Sequence, residues 1–443
     1  MKPLITALQR KRLVLVITGF NYITDSSGTS NVVKSHELLF SGHGYDFVCI
    51  YPLIWTYRVG VTLTGVYGIS VNGQVHGFMG LNNLIFQLAE CERGGHRVAG
   101  ILIHHVIYNR LDLLGDFLHQ FPDTKKVFYL HDYWTCCLSI NMMRDKTRSA
   151  WCHSDMKSGC DGCTWRGRNN HHRESIKEFF DRIGECEFIA PSSSVAHEWQ
   201  YRNPLGWRPV RVIGHLKPTG SVGRSEEATV PVRVAFVGAP NVNKGWPEFE
   251  RLAQRCRGAV KLFHMGHTDL RLPGVENVDV QIHRQGLNAM VNALSEHKID
   301  ISLLLSGWLE TYSYTLFESL QAKSLVCCFK DSGNVADVIQ ETGLGWSFQD
   351  EEALADFLNS ETLLDNVRIK QQSAIFPQAM VTNDAVISCF EGNCPSVGTA
   401  VLSVRYSLRE AIKAQLTAVG ILCFNSMKTT LKTVLKMVNR KYV

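Results

Sequence analysis

The chain has 443 residues, of which 45% are hydrophobic and 20% charged. That is enough apolar material for more than one core, and it excludes collagen-like, disordered and coiled-coil chains. The net charge of +5 is concentrated at one end: from Leu402 to Val443 eight basic residues (Arg405, Arg409, Lys413, Lys428, Lys432, Lys436, Arg440, Lys441) meet one acid, Glu410, so that tail carries +7 and the remainder −2. A general nucleic-acid binder spreads its positive charge over a folded face, so this distribution excludes one.

In chain order, Arg10-Lys11-Arg12 interrupts Met1–Gln9 before a signal-like apolar region forms. Leu13–Thr18 then reads as a buried strand and Ser26–Ser30 as a loop. A helix runs to about Phe40, and Gly42 and Gly44 introduce a second strand, Tyr45–Tyr51. Val98–Ile103, Lys126–Leu130 and Glu187–Ala190 are further strands, with a helix over Leu111–Gln120. Near-continuous apolar strands alternating with helices predict a parallel sheet covered on both faces. The Gly-, Pro-, Ser- and Glu-rich stretch from His215 to Val230 reads as a linker.

After the linker the alternation restarts. Arg233–Gly238, Val260–Met265, Ile299–Leu305 and Leu325–Phe329 are predicted strands. Pro247–Arg255, Leu287–His297 and Asn334–Glu341 are predicted helices. The expected fold class is therefore α/β, with two Rossmann-like doubly wound domains facing across a cleft. Residues 1–214 form the first, 215–232 the linker, 233–390 the second and 391–443 a basic amphipathic tail. The longest apolar runs, Leu13–Ile17 and Ala418–Phe424, fall far short of the roughly 20 residues a membrane span needs. Fourteen cysteines in a large chain without a signal point to a reducing cytoplasm.

Two segments carry chemistry. In Glu310-Thr-Tyr-Ser-Tyr-Thr-Leu-Phe-Glu318 the chain leaves a strand, passes hydroxyls and enters a helix whose first N–H groups can hold an anion. Glu318 lies about one turn into that helix, and a carboxylate accepting paired hydroxyls suits a sugar. Upstream, Phe236-Val-Gly-Ala-Pro-Asn-Val-Asn-Lys-Gly-Trp-Pro247 is a strand end, a short loop and a helix start. Lys244 in that loop is placed to neutralise a diphosphate as a point charge. A capped helix start and a solvated loop lysine are the plain alternatives.

With Pro191-Ser192 and His131-Asp132 each following a strand, the chain resembles, over about residues 12–390, the retaining nucleotide-sugar-dependent glycosyltransferases of the GT-B fold, family four. The resemblance implies that Glu318 holds the nucleotide ribose and that Glu310 lies by the donor sugar. Lys244 would stabilise the leaving diphosphate, and Gly28 would let the backbone approach the phosphates. His131 would approach the sugar hydroxyls, while Tyr314 and Thr315 would give backbone N–H groups to the diphosphate. Where the family carries a second cation, Gly238 is followed by Ala239, Pro240 and Asn241, and Arg284 is the candidate replacement. His104, at a strand end on the cleft side, is the candidate acceptor contact. Base recognition is expected around His264–His267 and Ile282–Gly286. No catalytic cofactor is expected.

The insertion over residues 136–172 holds Cys137, Cys152, Cys160 and Cys163, a set fitted to a closed structural zinc site. Cys136 can replace Cys137 in that set, and four reduced thiols are the rival. His153, His171 and His172 read as exposed loop residues. In the tail, Lys428, Lys432, Lys436 and Arg440 recur every four residues opposite Met427, Leu431, Val434, Leu435 and Val438. This is a basic amphipathic helix suited to an anionic membrane, or else one packed on the body. Together these features predict a cytoplasmic enzyme, peripheral on the inner membrane face. It would move a sugar from a nucleotide-diphosphate donor to a saccharide or lipid-linked acceptor of a surface polysaccharide. The alternatives are a non-catalytic GT-B scaffold that recruits a partner transferase, and a nucleotide-sugar epimerase.

Overall fold

A computed structural model of the chain describes residues 2–25, 27–53, 65–144, 152, 163–256, 260–391 and 416–417. Except for Glu391, Leu416 and Thr417, the tail lies outside the described residues. No helix among the described residues is long and apolar enough to cross a membrane.

The first sheet has eight strands: β1 (Arg12–Ile17), β2 (Tyr45–Pro52), β3 (Tyr67–Val71), β4 (Gln74–Met79), β5 (Arg97–Ile103), β6 (Lys126–Tyr129), β7 (Glu187–Ala190) and β8 (Val210–Val212). Their spatial order is β4-β3-β2-β1-β5-β6-β7-β8. β1 runs parallel to both β2 and β5, and only the β2–β3–β4 edge is antiparallel. Alternate residues of β1 serve two cores: Leu13, Leu15 and Ile17 pack on one face, Val14 and Val16 on the other. A strand buried on both faces must be apolar throughout, which is why the run was readable. The helices of this half are α1 (Gly28–Gly42), α2 (Leu81–Arg93), α3 (Leu111–His119), α4 (Arg166–Ile183) and α5 (Ser193–Arg202).

Next come β9 (Leu216–Val222) and the second sheet: β10 (Val232–Val237), β11 (Val260–Met265), β12 (Val275–Val278), β13 (Ile301–Leu304), β14 (Leu325–Phe329) and β15 (Gly345–Phe348). Its order, β12-β11-β10-β13-β14-β15, is fully parallel. The chain winds outward from β10 to β12, then crosses back to β13 on the other side. That reversal opens a crevice at the carboxyl ends of β10 and β13, where doubly wound sheets bind ligands. The accompanying helices are α6 (Trp246–Arg255), α7 (Ile282–Gln285), α8 (Ala289–Glu296), α9 (Tyr314–Gln321), α10 (Asn334–Thr342), α11 (Glu351–Leu358) and α12 (Leu363–Ser373). A last strand, β16 (Phe376–Thr382), follows.

Three expectations change. The linker is more than a connection, because β9 inside it pairs antiparallel with β16. Pro218 and Gly220 hide the strand signal, and both are tolerable in a two-stranded ribbon whose outer edges need no partner. Arg224, also in the linker, has a buried side chain that donates to Asp300 at 2.6 Å and to the Ile299 and Lys323 carbonyls. Second, the β3–β4 hairpin and α2 fill a stretch left blank by the sequence reading. Third, Val386, Ile387, Cys389 and Phe390, expected with the second domain, pack into the first sheet's core. A side chain at Gly100 would collide with the Phe390 ring at 2.2 Å.

The Arg224–Asp300 pair generates a test. Side-chain exposure is 8% and 0%, so Arg224→Ala leaves a buried carboxylate short of its counter-charge. Denaturant unfolding is expected to show a loss of about 3–5 kcal/mol. Arg211→Ala, at the more exposed pair with Glu187, is expected to cost under about 1 kcal/mol.

Candidate functional site

The site forms where the second sheet crosses over. β10 ends at Val237 and is followed by Gly238, whose carbonyl is bonded to the buried His264 ring at 3.0 Å. The chain then turns through Asn241, whose side chain accepts from the Lys244 N–H at 2.9 Å. Gly245 follows at φ +80, and a Cβ there would sit 1.9 Å from the Leu305 carbonyl oxygen. Only glycine lets this turn press against the end of β13. The contact brings Lys244 Nζ to 2.5 Å from Glu310 Oε1.

Glu310 is held as firmly from the other side. Ser306 Oγ donates to the same carboxylate oxygen at 2.5 Å. The Glu310 N–H donates to the Ser332 carbonyl, and the Asn334 N–H donates to the Glu310 carbonyl. Gly333 lies against this backbone at φ +60, where a Cβ would come within 2.7 Å of the Glu310 oxygen. The pair has a buried end and an open end: the Glu310 side chain is 4% exposed and that of Lys244 34%. The lysine is therefore the more open member of the pair.

Beyond Glu310 the chain enters α9 through Ser313, a non-glycine residue at φ +64 whose side chain caps nothing. The first N–H groups of α9, including those of Tyr314 and Thr315, lack helical acceptors as at every helix start. Here no side-chain cap replaces them. Thr315 faces Gly238 across the crevice, 4.0 Å from where a Cβ would stand. One turn on, Glu318 is partly buried, and no side-chain hydrogen bond reaches it among the described residues. Burial pushes its carboxyl up to about 7 from an ordinary 4.5. Lys244, the α9 start and Glu318 thus gather a cation, backbone donors and a carboxylate around one crevice.

The first sheet adds its own carboxyl edge. Thr311 Oγ1 donates to the His131 carbonyl at 2.8 Å, and Ser192 Oγ to the Thr311 carbonyl at 2.9 Å. Tyr312 OH accepts from the Leu216 N–H at 2.8 Å. The loop bearing Glu310 is therefore bonded to the ends of β6 and β7. His131 lies 9% exposed at this junction, and its ring is bonded inward to His104, which is bonded in turn to His36. His215 completes the group at 5.2 Å from His131 and 4.5 Å from Tyr312, ring centre to ring centre. Beside it, His105 Nε2 is 2.7 Å from Asp132. Burial raises the Asp132 carboxyl, but His105 and the Trp134 N–H outweigh it and hold the group below the usual range.

The structure gathers Lys244, Glu310, Tyr314, Thr315, Glu318 and His131 around the junction, and it revises other expectations. His104 is fully buried, so no acceptor reaches it. Gly28 is the first residue of α1, and there Asp25 already accepts from the Ser27 N–H and from the Ser27 and Ser30 hydroxyls. Arg284 is exposed on α7 with its charge acting on Asp279, and among the described residues no hydrogen bond or ion pair joins it to the Lys244 loop. His264 is buried and bonded to Asn277 and Gly238, so it reads no base. His172 is buried under Trp134, whose carbonyl it bonds at 2.6 Å, whereas His171 is exposed. Cys137 and Cys152 are buried and Cys163 partly so, while Cys160 lies outside the described residues. Among the described residues no group of three or more His, Cys, Asp or Glu is arranged to hold a metal. Missed from sequence were His36, His215 and Asn334, whose partners are distant in the chain, and Ser306, which is only four residues from Glu310 but carries no signal of its own.

No protein-family model matches this sequence, and no curated protein matches it. Among solved structures, sucrose-phosphate synthase from Thermosynechococcus elongatus is similar with TM-score 0.46 and 14% identity, over 82% of this chain and 94% of that one. Anabaena HepE in complex with UDP-glucose has TM-score 0.47 and 12% identity, over 93% and 99%. WaaG, a glycosyltransferase involved in lipopolysaccharide biosynthesis, has TM-score 0.45 and 11% identity, over 81% and 94%. Likeness at this level assigns no residue here.

The state of Glu318 is measurable. Because the fold raises its carboxyl above the ordinary value, the folded chain binds more protons than the unfolded one between those two values. Glu318 therefore costs increasing stability as pH rises through roughly 4.5 to 7. Glu318→Gln is expected to melt higher than the native chain at about pH 8 and near it at about pH 4.5. Equal differences at both pH values would show that the carboxyl titrates normally.

Proposed function

We propose that the chain is a glycosyltransferase that binds a nucleoside-diphosphate sugar at the crossover of its second sheet. The observation that carries this is the convergence there of Lys244, the uncapped start of α9 and Glu318. A ribose offers two adjacent hydroxyls to Glu318, and a diphosphate offers its oxygens to the Tyr314 and Thr315 N–H groups and to Lys244. Charge developing on the leaving diphosphate is met by fixed donors and an ammonium already in place, which is the strongest kind of electrostatic help such a reaction receives. Glu310 fixes the ammonium and lies where the sugar meets the first sheet's edge, with His131 opposite. Transfer with retention, and membership of family four, rest on the sequence resemblance.

The same reading extends outward. A lipid-linked saccharide acceptor suits the basic amphipathic tail, which would hold the enzyme at an anionic membrane surface from the cytoplasmic side. The cysteines of the insertion would staple that segment through zinc. A non-catalytic scaffold is favoured by one observation: Gly238 is followed by Ala239, Pro240 and Asn241, with no cation before Lys244 in that loop.

A thermal-shift panel with UDP, GDP, dTDP, CDP and ADP tests the reading. One nucleotide at a hundred times its dissociation constant is expected to stabilise the native chain by about 2.7 kcal/mol. The shift should vanish in Glu318→Ala, and the nucleotide that gives it names the base. No shift with any of the five contradicts a donor site. A shift without turnover of any matching sugar nucleotide selects the scaffold.

A further inference from the structure

Three histidine rings form a hydrogen-bonded line from the interior to the crevice. His36 Nδ1 is 3.2 Å from His104 Nε2, and His104 Nδ1 is 2.8 Å from His131 Nε2. Exposure is 1% at His36, 0% at His104 and 9% at His131, so the line opens only at its last ring. Tyr129 stacks on His104 at 5.3 Å and on His131 at 5.4 Å, which holds those two rings nearly parallel, while His36 is tilted by 45° to His104. Burial keeps all three neutral: the His36 value falls to about 3, and those of His104 and His131 lie well below the ordinary one.

A neutral imidazole has one donor and one acceptor nitrogen. His104 uses both of its nitrogens, so the whole line has only two proton arrangements. In one, every ring carries its proton on Nδ1; in the other, every ring carries it on Nε2. The Nε2–H form is the more stable tautomer of a histidine side chain, and the second arrangement satisfies that preference three times over. His131 Nε2–H then donates to His104 Nδ1, and His104 Nε2–H donates to His36 Nδ1. Nδ1 of His131, the one ring that is not fully enclosed, makes no hydrogen bond among the described residues.

We infer that His36 and His104 are positioning residues that lock His131 in its Nε2–H tautomer, so that Nδ1 is a fixed acceptor for a hydroxyl of the donor sugar. The sugar as ligand rests on the function proposed above; the lock itself does not. A ring held this way discriminates between hydroxyl groups by geometry, because an acceptor nitrogen must meet a donated proton. A ring with interchanging tautomers accepts either partner and discriminates less.

Nitrogen NMR of the full-length chain labelled at histidine reads the tautomer of His131 directly. The native chain is expected to show Nε2 protonated and Nδ1 bare. His104→Gln, whose carboxamide oxygen accepts from His131, should keep that pattern. His104→Phe preserves the stacking but not the acceptor, and should convert His131 to a mixture or to the Nδ1–H form. His36→Phe should move it less, and it replaces His104→Phe if that variant fails to fold. A native His131 protonated on Nδ1, or one unchanged in His104→Phe, overturns the lock. In parallel, His104→Phe should weaken a sugar nucleotide about three- to tenfold relative to the native chain while leaving the bare nucleoside diphosphate unaffected. Absence of any nucleotide binding removes the donor reading and leaves the tautomer result standing.

Discussion

The ion pair between Lys244 and Glu310 is the interaction on which the rest of the site depends. A carboxylate 4% exposed is costly to keep charged without a partner, and here the partner is Lys244. Two backbone devices make the pair inevitable. Gly245 lets the lysine turn touch the end of β13, and Gly333 lets the turn after β14 grip the Glu310 backbone. Because Ser306 also bonds the carboxylate, Glu310 is held from two sides and does not depend on the ammonium alone. The pair therefore works as a held charge facing a crevice.

The same loop joins the two halves of the molecule. Within three residues of one another, Glu310 faces Lys244, Thr311 exchanges hydrogen bonds with the His131 and Ser192 positions, and Tyr312 packs on His215. Any displacement of the loop moves the cation's partner and the histidine line together. The segment at Val386–Phe390 adds a second tie, since it returns from the second half to the first sheet's core. A site assembled from two sheets needs such ties, because neither sheet holds the full set of groups alone.

How much was legible follows from how local each signal is. The buried strands were readable because an interior strand has no polar face to disguise it. Glu310 and Glu318 were readable because a strand end, hydroxyl residues and a helix start lie within one short stretch. β9 was not, since Pro218 and Gly220 imitate a linker and its partner β16 lies far down the chain. Asp25 carries no local signal: it bonds Ser27 and Ser30 at the start of α1, while Ser27 itself caps the helix. His36 and His104 are separated by 68 positions, and no spacing rule links them. His104 at a strand end looked outward-facing because the layers that cover it come from α1 and β6.

The most direct test of the central claim is phosphorus NMR of the nucleoside diphosphate that binds, titrated with the native chain and with Lys244→Ala. A diphosphate seated at the crossover puts its terminal phosphorus beside the ammonium. The native chain should therefore shift and broaden that signal, and Lys244→Ala should largely abolish the change while the chain remains folded. An identical response from both proteins would place the diphosphate elsewhere and contradict the account.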